Sequence, residues 1–148
     1  MKYHHYKNLT DKLQMLAKMH PEFCHLESLG RSPEGREYWL MTLTNSRTGP
    51  HNEKPAIWVD GNTHAGEVTG CEAALFLIEH LLQFYGKDSE ITSLLDQMTF
   101  YVWPRISVDG AELYLTTGGW VRSSNQPWPE TERKSSFYPK DMDGNGLI

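Results

Sequence analysis

Apolar residues recur along this chain with two different spacings, and these spacings predict a series of helices and strands. Apolar side chains appear every three or four positions over residues 10–20, behind candidate helix caps at Asn8 and Thr10. This spacing predicts an amphipathic helix, which Pro21 ends. The same spacing over residues 68–85 predicts a second, longer helix with one apolar face.

Shorter apolar runs predict strands. Residues 24–30 and 36–44 predict two strands around a turn, and residues 99–104 predict another strand after a short helix near 91–98. The run "PAIWVD", residues 55–60, is too continuously apolar to alternate, which is typical of a strand buried on both faces. Strands and helices alternate through the middle of the chain, so the pattern favours a layered α/β fold with a largely internal sheet.

Composition and charge narrow the range of partners. The chain has 148 residues and a formal net charge of −5, with no cluster of Lys and Arg that would attract nucleic acid or an anionic membrane. No segment is apolar over the roughly 18 residues that a membrane span needs, and the N-terminus lacks the apolar region of an export signal. We therefore expect no nucleic acid and no membrane as partners, and a cytoplasmic location by default.

Cys24 and Cys71 are the two cysteines, and they lie in no C-x-x-C spacing. Two cysteines are too few for a disulfide scaffold. Buried free thiols are the favoured interpretation, with a single Cys24–Cys71 bridge as the alternative.

A histidine and a glutamate, His64 and Glu67, lie three positions apart just after the predicted strand at 55–60 and at the start of the predicted helix. In an open α/β sheet, ligands bind beyond the carboxyl ends of the strands. An imidazole nitrogen and a carboxylate oxygen at this spacing can converge on one zinc ion at about 2.0–2.2 Å. The alternative is a helix cap beside a surface carboxylate, and spacing alone does not decide between the two.

Three longer segments carry a resemblance to a known family. "PAIWVDGNTHAGEVTG" resembles the zinc-binding signature of the M14 zinc metallocarboxypeptidases, and "LGRSPEGREYWLMTLTN" resembles the hairpin that precedes it. "PRISVDGAELYLTTGGWVRSS" resembles the family segment that carries Asn-Pro-Asp-Gly and, thirteen residues after that Asp, a catalytic arginine. Counting from Asp109 leads to Arg122. The family's Asn-Pro is replaced here by Ser107-Val108, which weakens the match to a turn.

The resemblance implies a fold and a set of roles. The implied fold is a three-layer α/β/α arrangement with a mixed, largely internal sheet, of which residues 1–148 would form the N-terminal part of the catalytic domain. His64 and Glu67 would be two of three protein ligands of a catalytic zinc, and Arg122 would polarise the scissile carbonyl. The family's third zinc ligand and its general-base glutamate would lie beyond residue 148, so the domain is expected to be incomplete.

The implied activity is zinc-dependent hydrolysis of a C-terminal peptide or a γ-glutamyl-type amide by metal-activated water, with this fragment inactive by itself. A peptide or small amide is then the expected substrate. Two alternatives remain, a non-catalytic peptide- or calcium-binding module on the same fold and a related N-acyl amino acid deacylase. An interrupted sheet would leave an unpaired edge, so the fragment is also expected to self-associate.

The C-terminal segment "DMDGNGLI" suggests a second cation. Asp141, Asp143 and Asn145 alternate ahead of a glycine, as in the first half of an EF-hand-like calcium loop. The alternatives are a turn without an ion and the family's substrate-binding Asp-x-Asn-Arg motif with glycine in place of arginine. The calcium loop is preferred, within a surface insertion predicted over residues 118–148, because the composition there turns to Gly, Ser, Asn and Pro.

Overall fold

The computed structural model describes residues 3–119, 121–122 and 144–145. Four α-helices and four strands form within these residues. In chain order they are α1 (Tyr6–Met19), β1 (Cys24–Arg31), β2 (Glu37–Leu43), β3 (Ala56–Asp60), α2 (Thr69–Phe84), α3 (Ser89–Gln97), β4 (Thr99–Trp103) and α4 (Val108–Thr117).

The strands form one mixed sheet in the order β1-β2-β4-β3. Strand β2 pairs antiparallel with both β1 and β4, whereas β3 runs parallel to β4, with Trp58 opposite Tyr101. A parallel pair requires a crossover connection, which α2 and α3 provide between β3 and β4. The described part is therefore α/β with a mixed sheet, as the sequence predicted.

The hydrophobic core lies between this sheet and the helices that cross it. Its fully buried members include Leu13 of α1, Ile78 of α2, and Met41 and Val102 of the central strands. Burying one such side chain stabilises a fold by about 1.5–3 kcal/mol. The helical spacing read from the sequence is thus explained by the faces of α1 and α2 that pack on the sheet.

The first helix begins earlier than its sequence pattern predicts. Helix α1 starts at Tyr6 with His5 as N-cap, so the predicted caps Asn8 and Thr10 lie inside it. The backbone N–H of Tyr6 donates a 2.8 Å hydrogen bond to Oε2 of Glu112, which belongs to α4. A tertiary contact from a distant helix therefore extends α1, and local sequence could not show it.

Two further expectations are corrected. Strand β3 is not buried on both faces, since Ile57 is 38% and Trp58 52% exposed. Among the described strands it pairs only with β4, which leaves its other edge and part of its surface open. The segment with Asp109 and Gly110 forms the first turn of α4 rather than a loop turn, and the pattern analysis did not identify that helix.

Cys24 and Cys71 are both buried and free, which confirms the free-thiol interpretation. Burial raises the pKa of the Cys24 thiol to about 12 and that of Cys71 to about 11. Within the described part of the chain, none of the helices has the length and apolar character needed to span a membrane.

Candidate metal centre

The loop with the predicted zinc ligands begins where β3 ends, and it lies close against the start of α2. A Cβ atom on Gly61 would lie 2.5 Å from the carbonyl oxygen of Gly70 and 2.8 Å from that of Pro104. These distances are far below van der Waals contact with backbone atoms that cannot move aside. Only glycine fits at position 61, so backbone packing against both neighbours fixes where the loop starts.

The side chains of His64 and Glu67 meet in this loop. Nδ1 of His64 lies 2.9 Å from Oε1 of Glu67, and the Glu67 N–H donates a 3.0 Å hydrogen bond to the His64 carbonyl. The two side chains are 32% and 58% exposed, so solvent reaches both. The two groups are in direct hydrogen-bonding contact, and an imidazole nitrogen beside a carboxylate oxygen suits a zinc ion in ligand type.

The described residues provide this pair of ligands and no larger cluster. Within residues 3–119, 121–122 and 144–145, no group of three His, Cys, Asp or Glu side chains is placed to hold a metal ion. Zinc in a catalytic site takes three protein ligands and leaves its remaining position to water or substrate. The pair alone would therefore hold zinc weakly.

The helix-cap alternative for this pair does not fit the structure. Helix α2 begins at Thr69 with Val68 as its N-cap, and no side chain makes a capping hydrogen bond there. Neither His64 nor Glu67 caps the helix. The predicted position of the pair at the start of the helix is also corrected, because residues 64–67 form their own turn ahead of Thr69.

Arg122 lies beside the same loop. Its carbonyl oxygen accepts a 3.0 Å hydrogen bond from the backbone N–H of Ala65, between the two predicted ligands. The residue is exposed, so its side chain is accessible to a substrate. The structure thus brings together the three residues selected from sequence, His64, Glu67 and Arg122.

Asp109, from which the position of Arg122 was counted, forms a buried ion pair and hydrogen bonds with the β1–β2 turn. Its side chain is fully buried, and Oδ1 accepts hydrogen bonds from the Ser32 hydroxyl at 2.7 Å and from Nη1 of Arg36 at 2.6 Å. Oδ2 accepts the Glu34 N–H at 3.1 Å. Burial acts to lower the pKa of Arg36, but hydrogen bonds to Asp109 and Glu34 outweigh it and raise that pKa above its ordinary value. Asp109 therefore fastens the β1–β2 turn to the start of α4.

Two residues hold the segment 61–67, called the metal loop below, and the sequence pattern did not identify either of them. The Asn62 side chain donates hydrogen bonds to the carbonyls of His64 and Ala65, and the Ser107 hydroxyl donates one to the carbonyl of Thr63. Asparagine directly after a strand-ending Asp-Gly was an available signal, because asparagine tolerates the left-handed backbone conformation that sharp turns use.

The predicted calcium ligands lie largely outside the described residues. Asp141 and Asp143 are not among them, whereas Asn145 is described and exposed. The calcium loop, the competing substrate-binding alignment and the insertion over 118–148 therefore stay predictions.

The sequence of this chain is similar to the sequences of known proteins. The family profile described as zinc carboxypeptidase matches residues 9–145. Carboxypeptidase M of Mus musculus is 32% identical over 111 residues, which cover 75% of this chain and 25% of that protein. Carboxypeptidase A6 of Homo sapiens is 28% identical over 144 residues, covering 97% of this chain and 30% of that protein. The chain thus spans about a quarter to a third of these relatives.

A solved structure shows the same fold. The crystal structure of thrombin activatable fibrinolysis inhibitor superposes with a TM-score of 0.77 at 22% sequence identity, covering 86% of this chain and 31% of that one. At this identity the likeness concerns the fold. It supports the three-layer carboxypeptidase-like architecture, of which the described sheet and helices are a part.

Proposed function

This chain belongs to the zinc carboxypeptidase family, and from that premise we propose that it supplies part of the active site of a zinc-dependent metallocarboxypeptidase. The substrate would be a C-terminal peptide bond or a γ-glutamyl-type amide. The observation that carries the proposal is the 2.9 Å approach of His64 Nδ1 to Glu67 Oε1 at the carboxyl end of β3.

His64 and Glu67 are the residues that would hold the metal. When bound at such a site, zinc polarises a carbonyl and lowers the pKa of its bound water toward about 7. The protein's part is to hold an imidazole and a carboxylate next to each other and to leave them open to solvent. The partial exposure of both side chains meets the second requirement.

Arg122 would bind the carbonyl oxygen of the scissile bond. A guanidinium suits this role because it stays charged at all physiological pH values and directs several N–H donors one way. Donors fixed in advance where negative charge develops are worth more than donors that must reorganise. The hydrogen bond from Ala65 fixes the main chain of Arg122 without using the guanidinium.

The proposal is tested in the complete protein that contains these residues. Zinc content and hydrolysis are measured for the parent protein and for the variants His64→Ala and Glu67→Gln. The substrates are a dipeptide with a blocked N-terminus and a free C-terminus, a γ-glutamyl amide and an N-acyl amino acid. Both variants are expected to lose zinc and activity together, because each removes a ligand. His25→Ala is the control, since His25 is exposed on β1 and should change neither.

The substrate panel separates the alternatives. Turnover of the N-acyl amino acid alone would indicate the deacylase, and zinc-independent peptide binding without turnover would indicate the non-catalytic module. Residues 1–148 alone are expected to hydrolyse nothing measurable, because the two predicted ligands would leave zinc poorly held. Robust zinc-dependent turnover by that fragment would contradict the proposal that residues 1–148 supply only part of the active site.

A further inference from the structure

Asn62 has an unusual conformation at the start of the metal loop. Its φ angle is +54°, and it is the only residue other than glycine with positive φ in the described part of the chain. It is 3% exposed, so this conformation is enclosed by its surroundings. A left-handed residue that is not glycine costs free energy, and the surrounding structure must hold it in place.

The side-chain amide of Asn62 spans the loop. Nδ2 donates hydrogen bonds to the carbonyl of His64 at 2.8 Å and to that of Ala65 at 3.0 Å. Carbonyl oxygens only accept, so the nitrogen must face them and the orientation of the amide is determined. Oδ1 is then buried, and it has no hydrogen-bond partner within the described residues. Asn62 thus donates to two carbonyl groups of the loop, while no described residue donates to its own Oδ1.

The same loop is held from its other side by the segment between β4 and α4. The Ser107 N–H donates to the Asn62 carbonyl at 3.1 Å, and its hydroxyl donates to the Thr63 carbonyl at 2.7 Å. The Ile106 N–H donates to the Gly61 carbonyl at 3.1 Å. Carbonyl groups from Gly61 to Ala65 therefore all accept hydrogen bonds from Asn62 or from residues 106–107.

We propose that Asn62 is a positioning residue for the metal-binding pair, acting through the carbonyls of His64 and Ala65. This inference rests on the proposed function. Residues that hydrogen-bond to metal ligands fix the orientation of those ligands before the metal binds. Less conformational entropy is then lost on binding. Two donors on the backbone of His64 and its neighbour fix the position from which the imidazole projects. These contacts also hold Asn62 in its left-handed conformation.

The test is zinc affinity in the complete protein, measured by competition with a chromophoric chelator. Asn62→Gly is the informative variant, because glycine adopts positive φ without strain, so both donors are lost without a new backbone strain. Zinc affinity is expected to fall by about 10- to 100-fold, the usual effect of losing a group that orients a ligand. Amide hydrogen exchange over residues 63–67 of the metal-free protein should become faster, with core protection unchanged.

Asn45→Ala is the matched control. Asn45 is also buried, at 5% exposure, and its Nδ2 likewise donates two hydrogen bonds, to Tyr85 at 3.0 Å and to Asp96 at 2.7 Å. Its removal should lower the melting temperature and leave zinc affinity unchanged. Ser107→Ala, which loses one donor to the loop, should weaken zinc binding by less than Asn62→Gly.

The outcomes separate the inference from its premise. If the parent protein binds no zinc, or if His64→Ala retains parental affinity, the proposed function fails. If the parent binds zinc through His64 but Asn62→Gly keeps parental affinity, or loses no more than Asn45→Ala does, the positioning role is wrong. Should Asn62→Gly fail to fold, Asn62→Asp decides, since aspartate keeps the size and backbone tolerance of asparagine but its carboxylate has no donor for the two carbonyls. An unchanged zinc affinity in that variant would overturn the positioning role.

Discussion

The backbone N–H of Ala65 donates a 3.0 Å hydrogen bond to the carbonyl oxygen of Arg122. This contact joins the metal loop to a residue that follows α4, and it involves no side-chain atom of either partner. The main-chain position of Arg122 therefore does not depend on its guanidinium. A substitution at Arg122 can remove the charged group while the loop with His64 and Glu67 keeps its backbone.

We predict that Arg122→Ala in the complete protein lowers kcat and leaves zinc bound. The guanidinium would contact the oxyanion only in the transition state, and losing one such donor costs about 2.7–4 kcal/mol, or roughly 10²- to 10³-fold in kcat. Steady-state kinetics and zinc stoichiometry are the measurements. Arg47→Ala, at an arginine 70% exposed and paired with Glu22, should match the parent protein. Normal turnover by Arg122→Ala would show that Asp109 was the wrong reference for locating the catalytic arginine.

Asp109→Ala is expected to destabilise the protein by about 3 kcal/mol, the lower end of the cost of breaking a buried ion pair, because Arg36 is partly exposed. The substitution also leaves the Ser32 hydroxyl and the Glu34 N–H without their acceptor. Urea unfolding provides the measurement. Asp11→Ala is the control, since the Lys7–Asp11 pair is 82% and 56% exposed and should contribute under about 0.5 kcal/mol. Equal losses for the two variants would rule out a special role for Asp109.

Periodicity predicted most elements of this fold because burial of one face produces it directly. Leu9, Leu13 and Leu16 repeat at helical spacing since they are the face of α1 on the sheet. Contacts between residues that are far apart in the sequence produce no such periodic pattern. The start of α1 depends on Glu112, and α4 contains Gly110, which is a poor helix former.

In the candidate site, too, some residues could be identified from the sequence and others could not. His64 and Glu67 could be found from sequence because metal chemistry needs those residue types at a close spacing. Asn62 could not be assigned its role, since that depends on a left-handed backbone and on which carbonyls face the amide. Exposure of β3 was also unpredictable, because a continuous apolar run does not reveal whether a neighbour covers it.

Alkaline pH should destabilise the protein through its buried thiols. Burial raises the pKa of Cys24 from 9.0 to about 12 and that of Cys71 from 9.0 to about 11. The folded state then holds these protons more tightly than the unfolded state does. Their stabilising effect is complete below pH 9 and is lost as pH rises through 11 and 12. Denaturant midpoints measured from pH 8 to 11 should therefore fall.

Cys24→Ala is the comparison for this loss of stability at alkaline pH. Its denaturant midpoint should fall less steeply with pH than that of the parent protein, because one of the two buried thiols is gone. Both thiols should also react with a disulfide reagent only after unfolding, since the thiolate is the reactive form and burial disfavours it. Fast labelling of the native protein would contradict the assignment of Cys24 and Cys71 as buried.

Residues 1–148 in isolation are expected to associate through the open side of β3. Trp58 is 52% and Ile57 38% exposed, one on each face of β3. Among the described strands β3 pairs only with β4, so exposed apolar side chains adjoin backbone groups that no described strand pairs. Trp58→Lys should shift the fragment toward monomer in sedimentation velocity over a range of concentrations, because a charge on an edge strand opposes pairing. Phe76→Lys is the control, as Phe76 is 67% exposed but lies on helix α2 and has no unpaired strand backbone beside it. An equal shift with Phe76→Lys would move the association to the helical surface, and a monomeric parent at all concentrations would rule association out.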